Sequence, residues 1–216
     1  MSGTMTAMTH SESPAARTLL FIGDSITDCG RREDPDELGH GYVRLLAEHF
    51  AAHEPTATVI NRGISGNKVA DLEARFDVDC LEHAPGLVTI YVGVNDSWHR
   101  FTRGEHVTDD SFERGYRNLL EQLSTTVPDS PVLLIVPFVA DIDEQVARIH
   151  TDLDGKVAVI RRLAAERGHR LVDLEQVLAT AYAAGHTPAT VAEDGVHPTP
   201  AGHRLIADAW LDTAGR

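Results

Sequence analysis

Thr18-Leu-Leu-Phe-Ile-Gly-Asp-Ser-Ile-Thr-Asp28 decides the fold. Its apolar residues run unbroken into Gly23, where polarity changes at once. A short apolar run ended by glycine reads as a buried strand. Asp24, Ser25, Thr27 and Asp28 then stand at its carboxyl end. In open parallel α/β sheets, ligands bind just beyond the carboxyl ends of the strands, so Ser25 sits where such a fold places chemistry. Taken alone, the same residues are a strand, a turn and a Ser/Asp helix cap.

Outward from this stretch, strands are predicted over 56–61, 87–92, 131–136 and 170–173. The run Leu87–Val92 is almost wholly apolar, as a central parallel strand buried on both faces should be. Helical spacing of apolar residues marks 40–50, 69–81, 112–123, 174–184 and the tail after Pro200. A longer helix is expected over 144–167, with a break near Gly155. Residues 97–111, with Trp98, Phe101 and Gly104, read as a long connection. Strand and helix alternate about five times, and parallel strands require such right-handed crossovers. The expected fold class is α/β: a three-layer α/β/α sandwich with a flavodoxin-like parallel sheet of order 2-1-3-4-5. Residues 1–17 are expected to be a disordered arm, and 18–216 a single domain.

Composition narrows the function. A chain of 216 residues, 42% hydrophobic and 24% charged, is that of an ordinary soluble globular protein. A net charge of −14 argues against nucleic acid as a partner, and equally against docking on anionic membranes. The start of the chain has neither a basic segment nor a long apolar one of the secretory type. Cys29 and Cys80 make no CxxC motif and no disulfide framework, so a cytoplasmic setting is expected, with Cys29 a packed, inert thiol. The twelve histidines include no HExxH and no paired Cys/His set, so no metal is expected. Gly63-x-x-Gly66 is not a dinucleotide fingerprint, and Asp24 and Asp28 would repel a cofactor phosphate; no cofactor is expected.

Three strand ends carry the candidate chemistry. The first bears Asp24 and Ser25, the second Gly63, the third Asn95 and Asp96. In a 2-1-3 order these strands are neighbours. Asp194-Gly-Val-His-Pro198 follows late in the chain. A serine nucleophile needs a base within hydrogen-bond reach, and the base needs an orienting carboxylate. Asp194 and His197, three residues apart, let a carboxylate meet Nδ1 and leave Nε2 to face Ser25. The backbone N–H groups of Ser25 and Gly63 and the Asn95 amide are the candidate oxyanion donors. Gly63 is expected to be glycine to leave room for the incoming carbonyl. Asp24, Trp98 and Phe101 are the candidate substrate-binding residues. Each element alone is a turn or cap signal. Together and in this order they point to acyl transfer.

Gly23-Asp-Ser-Ile26, Gly63, Gly93-Val-Asn-Asp96 and Asp194-Gly-Val-His-Pro198 resemble the four blocks of the SGNH (GDSL-type) hydrolases. The resemblance implies an α/β/α flavodoxin-like fold and ester hydrolysis without a metal. It implies Ser25 as nucleophile, His197 as base and Asp194 as third member, with Ser25, Gly63 and Asn95 as the oxyanion hole. Gly23–Arg31, Gly41-Tyr42, Asn61–Asn67 and Asn95–Trp98 are similar to intracellular acetyl-xylooligosaccharide esterases of that family. That similarity implies a small-molecule ester substrate, removal of O-acetyl groups from short sugars inside the cell, and homo-oligomeric assembly. A thioesterase or lysophospholipase is the alternative within the family, but it would want an apolar lid, and Cys29–Gly39 is highly charged. A non-catalytic α/β binding module is the alternative outside it.

Overall fold

The computed structural model describes residues 17–216, so the arm expected over 1–17 lies, but for Arg17, outside the described residues. Five strands are present among them: β1 (Thr18–Gly23), β2 (Thr58–Gly63), β3 (Leu87–Tyr91), β4 (Val132–Val136) and β5 (Arg170–Asp173). All pair in parallel in the order β2-β1-β3-β4-β5, as expected. β3 and β4 are buried along their whole length, which is why they carry almost nothing but apolar side chains.

The helices are α1 (Ser25–Asp28), α2 (Tyr42–His53), α3 (Val69–Asp79), α4 (Val94–Thr102), α5 (Asp109–Thr126), α6 (Glu144–Arg167), α7 (Leu174–Ala183), α8 (Pro188–Val191) and α9 (Pro200–Ala214). The step from β1 to β2 runs one way along the sheet and the next three crossovers run the other way. Right-handed connections therefore put α2 on one face and α3, α5 and α6 on the other. α9 returns to pack on α2. Among the described residues, no helix is long and apolar enough to cross a membrane.

Two local expectations are corrected. Residues 97–111 are not simply a connection, because α4 occupies 94–102. Its buried face carries Asn95, Asp96 and His99, so no apolar periodicity announces it. α6 is not broken at Gly155. A Cβ there would lie 2.0 Å from an Asp109 carboxylate oxygen, so the glycine admits the start of α5 rather than ending α6.

Trp210 fastens α9 to the sheet. It is 1% exposed and meets the rings of Phe21 and Phe50 at centroid distances of 5.5 and 5.8 Å. Its indole N–H donates to Thr89 Oγ1 at 3.0 Å, which accounts for a threonine inside an otherwise apolar strand. Trp210→Ala should cost about 3–5 kcal/mol of stability, the usual range for emptying a core aromatic site. Trp210→Phe should cost less, mainly by leaving the Thr89 hydroxyl unpaired. Guanidinium unfolding curves of the two variants check both.

Candidate active site

The end of β1 turns sharply into α1. Asp24 caps the turn, its carboxylate accepting the Ile26 N–H at 3.1 Å, and Ser25 follows as the first helical residue. From the other end of the chain, the loop between α8 and α9 brings Asp194 and His197. The His197 ring donates from Nδ1 to Asp194 Oδ2 at 2.7 Å. Because an ionised carboxylate only accepts, that bond leaves Nε2 as the lone-pair nitrogen of the neutral ring. Ser25 Oγ lies 3.0 Å from Nε2. Partial burial works to raise the Asp194 carboxyl. The His197 ring and the backbone N–H groups of His197 and Val196 outweigh it and hold the group below the usual carboxylate range. The Ala140 N–H donates to Gly195 O at 2.7 Å and ties this loop to the segment after β4.

Gly63 does not serve as expected. Its N–H donates to Asn61 Oδ1 at 2.8 Å, and a Cβ would sit 2.1 Å from the Asp28 backbone nitrogen. The glycine is there because β2 ends against α1, not to clear space for substrate. Gly66 takes the place at the cleft instead, lining it with Ser25, Asn95 and His197. It is the third residue of the turn Ile64–Asn67, closed by the Asn67 N–H on Ile64 O at 3.2 Å, and its φ of +82° is the value a type II turn demands there. The N–H groups of Ser25 and Gly66 meet no protein acceptor among the described residues. The Asn95 amide donates to Asn67 O at 3.1 Å and keeps a second hydrogen to give.

Asp24 and Phe101 are also reassigned. Asp24 is wholly buried and lines no part of the cleft. Burial pushes its carboxyl up to about 7, against the pull of the Ile26 N–H and of His197. Phe101 is exposed and lines a separate surface hollow beside Asp143, Glu144 and Arg148. Trp98 does line the cleft, its ring 5.4 Å from that of His197. Two hollows meet at Ser25 and His197. One, of about 340 Å³, runs toward Asp28, Arg32 and Glu33; the other, of about 490 Å³, runs along α4.

Supports deeper in the structure escaped the sequence reading. Arg75 donates to Gly23 O at 3.0 Å, Arg62 O at 2.9 Å and Asn67 Oδ1 at 2.8 Å. One guanidinium thus ties the ends of β1 and β2 to the turn that orients Asn95. Asn61 Nδ2 donates to Thr27 O at 2.6 Å and Leu38 O at 2.9 Å while its Oδ1 accepts the Gly63 N–H, so both ends of its amide are satisfied. His203 backs the smaller hollow. Its Nδ1 accepts the Tyr42 N–H at 3.1 Å, and burial together with the nearby His197 pushes its pKa down to about 4.

Fold and geometry define the class: a serine hydrolase on a flavodoxin-like sheet. The chain belongs to the GDSL-like lipase/acylhydrolase family, whose model matches residues 21–205. It is 37% identical over 212 residues to an acetylxylan esterase of Geobacillus stearothermophilus, covering 91% of this chain and 93% of that one. The crystal structure of that organism's acetylxylan esterase Axe2 superposes with a TM-score of 0.83 at 34% identity, covering 94% and 95% of the two chains. A crystal structure assigned to a GDSL-like lipase of Parabacteroides merdae gives a TM-score of 0.87 at 32% identity, covering 93% and 96%. The protein is a carboxylic ester hydrolase.

The Asp24 carboxyl has a consequence for stability. Folded, it holds its proton up to about pH 7, whereas an unfolded aspartate loses it near pH 4. Between those values the native state binds the extra proton, so this group makes stability fall as pH rises. Asp24→Asn should remove that loss, and its stability relative to the parent should improve from pH 5 to pH 8. Urea unfolding of both proteins across that range measures the difference.

Proposed function

We propose that this protein removes acetyl groups from acetylated sugars by way of an acyl-enzyme on Ser25. The observation that carries the reading is the hydrogen-bonded line from Asp194 through His197 to Ser25, opening onto one cleft. In this mechanism Ser25 Oγ attacks the ester carbonyl as His197 Nε2 takes its proton. Asp194 fixes the ring and stabilises the imidazolium that forms. The N–H groups of Ser25 and Gly66 and the free Asn95 hydrogen then bind the oxyanion. The imidazolium returns its proton to the departing sugar hydroxyl. Water repeats the sequence on the acyl-enzyme and releases acetate. No step calls for a metal or cofactor.

The name acetylxylan esterase on the relative supports the acetyl specificity. Its catalytic mutants replace a serine, an aspartate, or the histidine three residues beyond that aspartate, the spacing of Asp194 and His197 here. Polar groups lining the larger hollow, among them Ser65, Thr102 and Arg103, suit a sugar better than the long acyl chain of a lysophospholipid. The similarity to intracellular acetyl-xylooligosaccharide esterases extends the reading to the cytoplasm and to a homo-oligomer. Two free cysteines suit a reducing compartment, and the charge of −14 suits a partner other than nucleic acid.

Ser25→Ala should abolish ester hydrolysis while its circular dichroism stays that of the parent; near-parental turnover would remove Ser25 from the mechanism. Asn95→Ala should lower kcat by roughly 10²–10³ with less effect on KM, because the lost bond matters most in the transition state. Rates on acetyl, butyryl and octanoyl esters should fall with chain length. An apolar acyl channel would instead gain about 0.8 kcal/mol per methylene, and a rise toward octanoyl would refute the acetyl reading.

A further inference from the structure

The larger hollow has a wall that the acyl-transfer mechanism leaves unused. Asn95, Trp98, His99 and Thr102 follow one another at i, i+3, i+4 and i+7 and form one stripe of α4, with Arg103 just past its end. At about 1.5 Å per residue, the stripe extends roughly 10 Å from the Asn95 amide. That is farther than an acetyl group needs, which leaves the distal part of the wall free to meet another portion of a substrate.

Arg103 is the basic group at the far end of this wall. Its neighbours are paired: Arg100 with Asp152, and Lys68 with Glu105. Arg103 is exposed and makes no ion pair or side-chain hydrogen bond among the described residues, in a chain of net charge −14. Glu105, the nearest carboxylate in sequence, bonds Lys68, lies 3.7 Å from His99 Nδ1, and acts on Arg103 only through space. His99, 5% exposed, has a buried Nδ1 without a hydrogen-bond partner. Burial, reinforced by Arg103 and opposed by Glu105, pushes its pKa below the ordinary histidine value. The wall therefore offers an aromatic face beside the catalytic histidine, an imidazole, a hydroxyl, and at the far end a guanidinium with no ion pair among the described residues.

We propose that this wall selects acetylated oligosaccharides that carry a carboxylate, as on a uronic acid residue, with Arg103 binding the carboxylate and Trp98 covering the sugar beside the scissile ester. The assignment rests on the acetyl-sugar reading above and adds to it a preference for acidic over neutral substrates. A guanidinium suits the task because its planar fork matches a carboxylate. At an exposed site the pair contributes modestly and is screened by salt.

The test compares an acetylated xylo-oligosaccharide bearing a uronic acid with the same compound after reduction of its carboxyl group. Steady-state kinetics of acetate release give the ratio of kcat/KM, acidic over reduced. The parent enzyme should favour the acidic compound about two- to fivefold at low salt, the range of an exposed ion pair, with the difference in KM and shrinking as salt is added. Arg103→Ala should bring the ratio near one and Arg103→Glu should take it below one, both variants keeping the parental circular dichroism. A parental ratio of one, or a ratio unmoved by Arg103→Glu, overturns the role of Arg103 while leaving acetyl-sugar hydrolysis standing. Cleavage of p-nitrophenyl acetate with no release from either sugar overturns the acetyl-sugar reading, and this proposal with it.

Discussion

The contact between the end of β2 and the first turn of α1 governs the rest of the site. At Gly63 the two backbones approach so closely that even a methyl group would overlap the Asp28 nitrogen. From that contact the chain proceeds directly into the turn Ile64–Asn67. Asp28 Oδ2 accepts the Ser65 N–H at 3.0 Å, so the same helical turn that carries Ser25 also positions the neighbours of Gly66. Arg31 closes the arrangement by donating to Gly63 O at 2.6 Å. The proposed nucleophile and oxyanion donors thus share one unit, held together where buried side chains, Asp28 and Arg31, bond to backbone groups. Preorganisation of this kind lets the donors act without rearranging during the reaction.

The cost is carried beneath that unit. Asp24 and Asp96 are both buried, and burial pushes each carboxyl up to about 7. Each also caps a backbone nitrogen: Asp24 that of Ile26, and Asp96 that of Val69 at the start of α3. Stability is given up to hold the starts of two helices at the cleft. Such an exchange is common where a fold supports chemistry.

Much of this was legible because apolar runs and strand-end polarity are local signals. The five strands, their order and the partnership of Ser25, Asp194 and His197 could be read from residue types and spacing alone. What could not be read depended on contacts across the chain. Gly63 and Gly66 are the same residue type three positions apart, and only the packing of β2 on α1 tells which one faces the cleft. α4 was obscured because its inward face is polar, the reverse of the pattern that marks a helix. Phe101 lies just off the stripe that holds Trp98, and a one-residue offset on a helix turns a side chain by about 100°. Arg75 looks like any surface arginine until β1, β2 and Asn67 are assembled around it.

The Ser25–His197 hydrogen bond joins residues 172 positions apart. The proposed nucleophile belongs to the first strand and turn of the described chain, whereas its proposed base sits on a loop just ahead of α9. During synthesis the serine would leave the ribosome long before the histidine exists, and it would remain an ordinary alcohol throughout. In the proposed mechanism, hydrolytic capacity requires the 194–197 loop, just ahead of α9, to reach the end of β1. A chain cut ahead of Asp194 would carry Ser25 without its proposed base, so turnover draws on residues from both ends of the described chain.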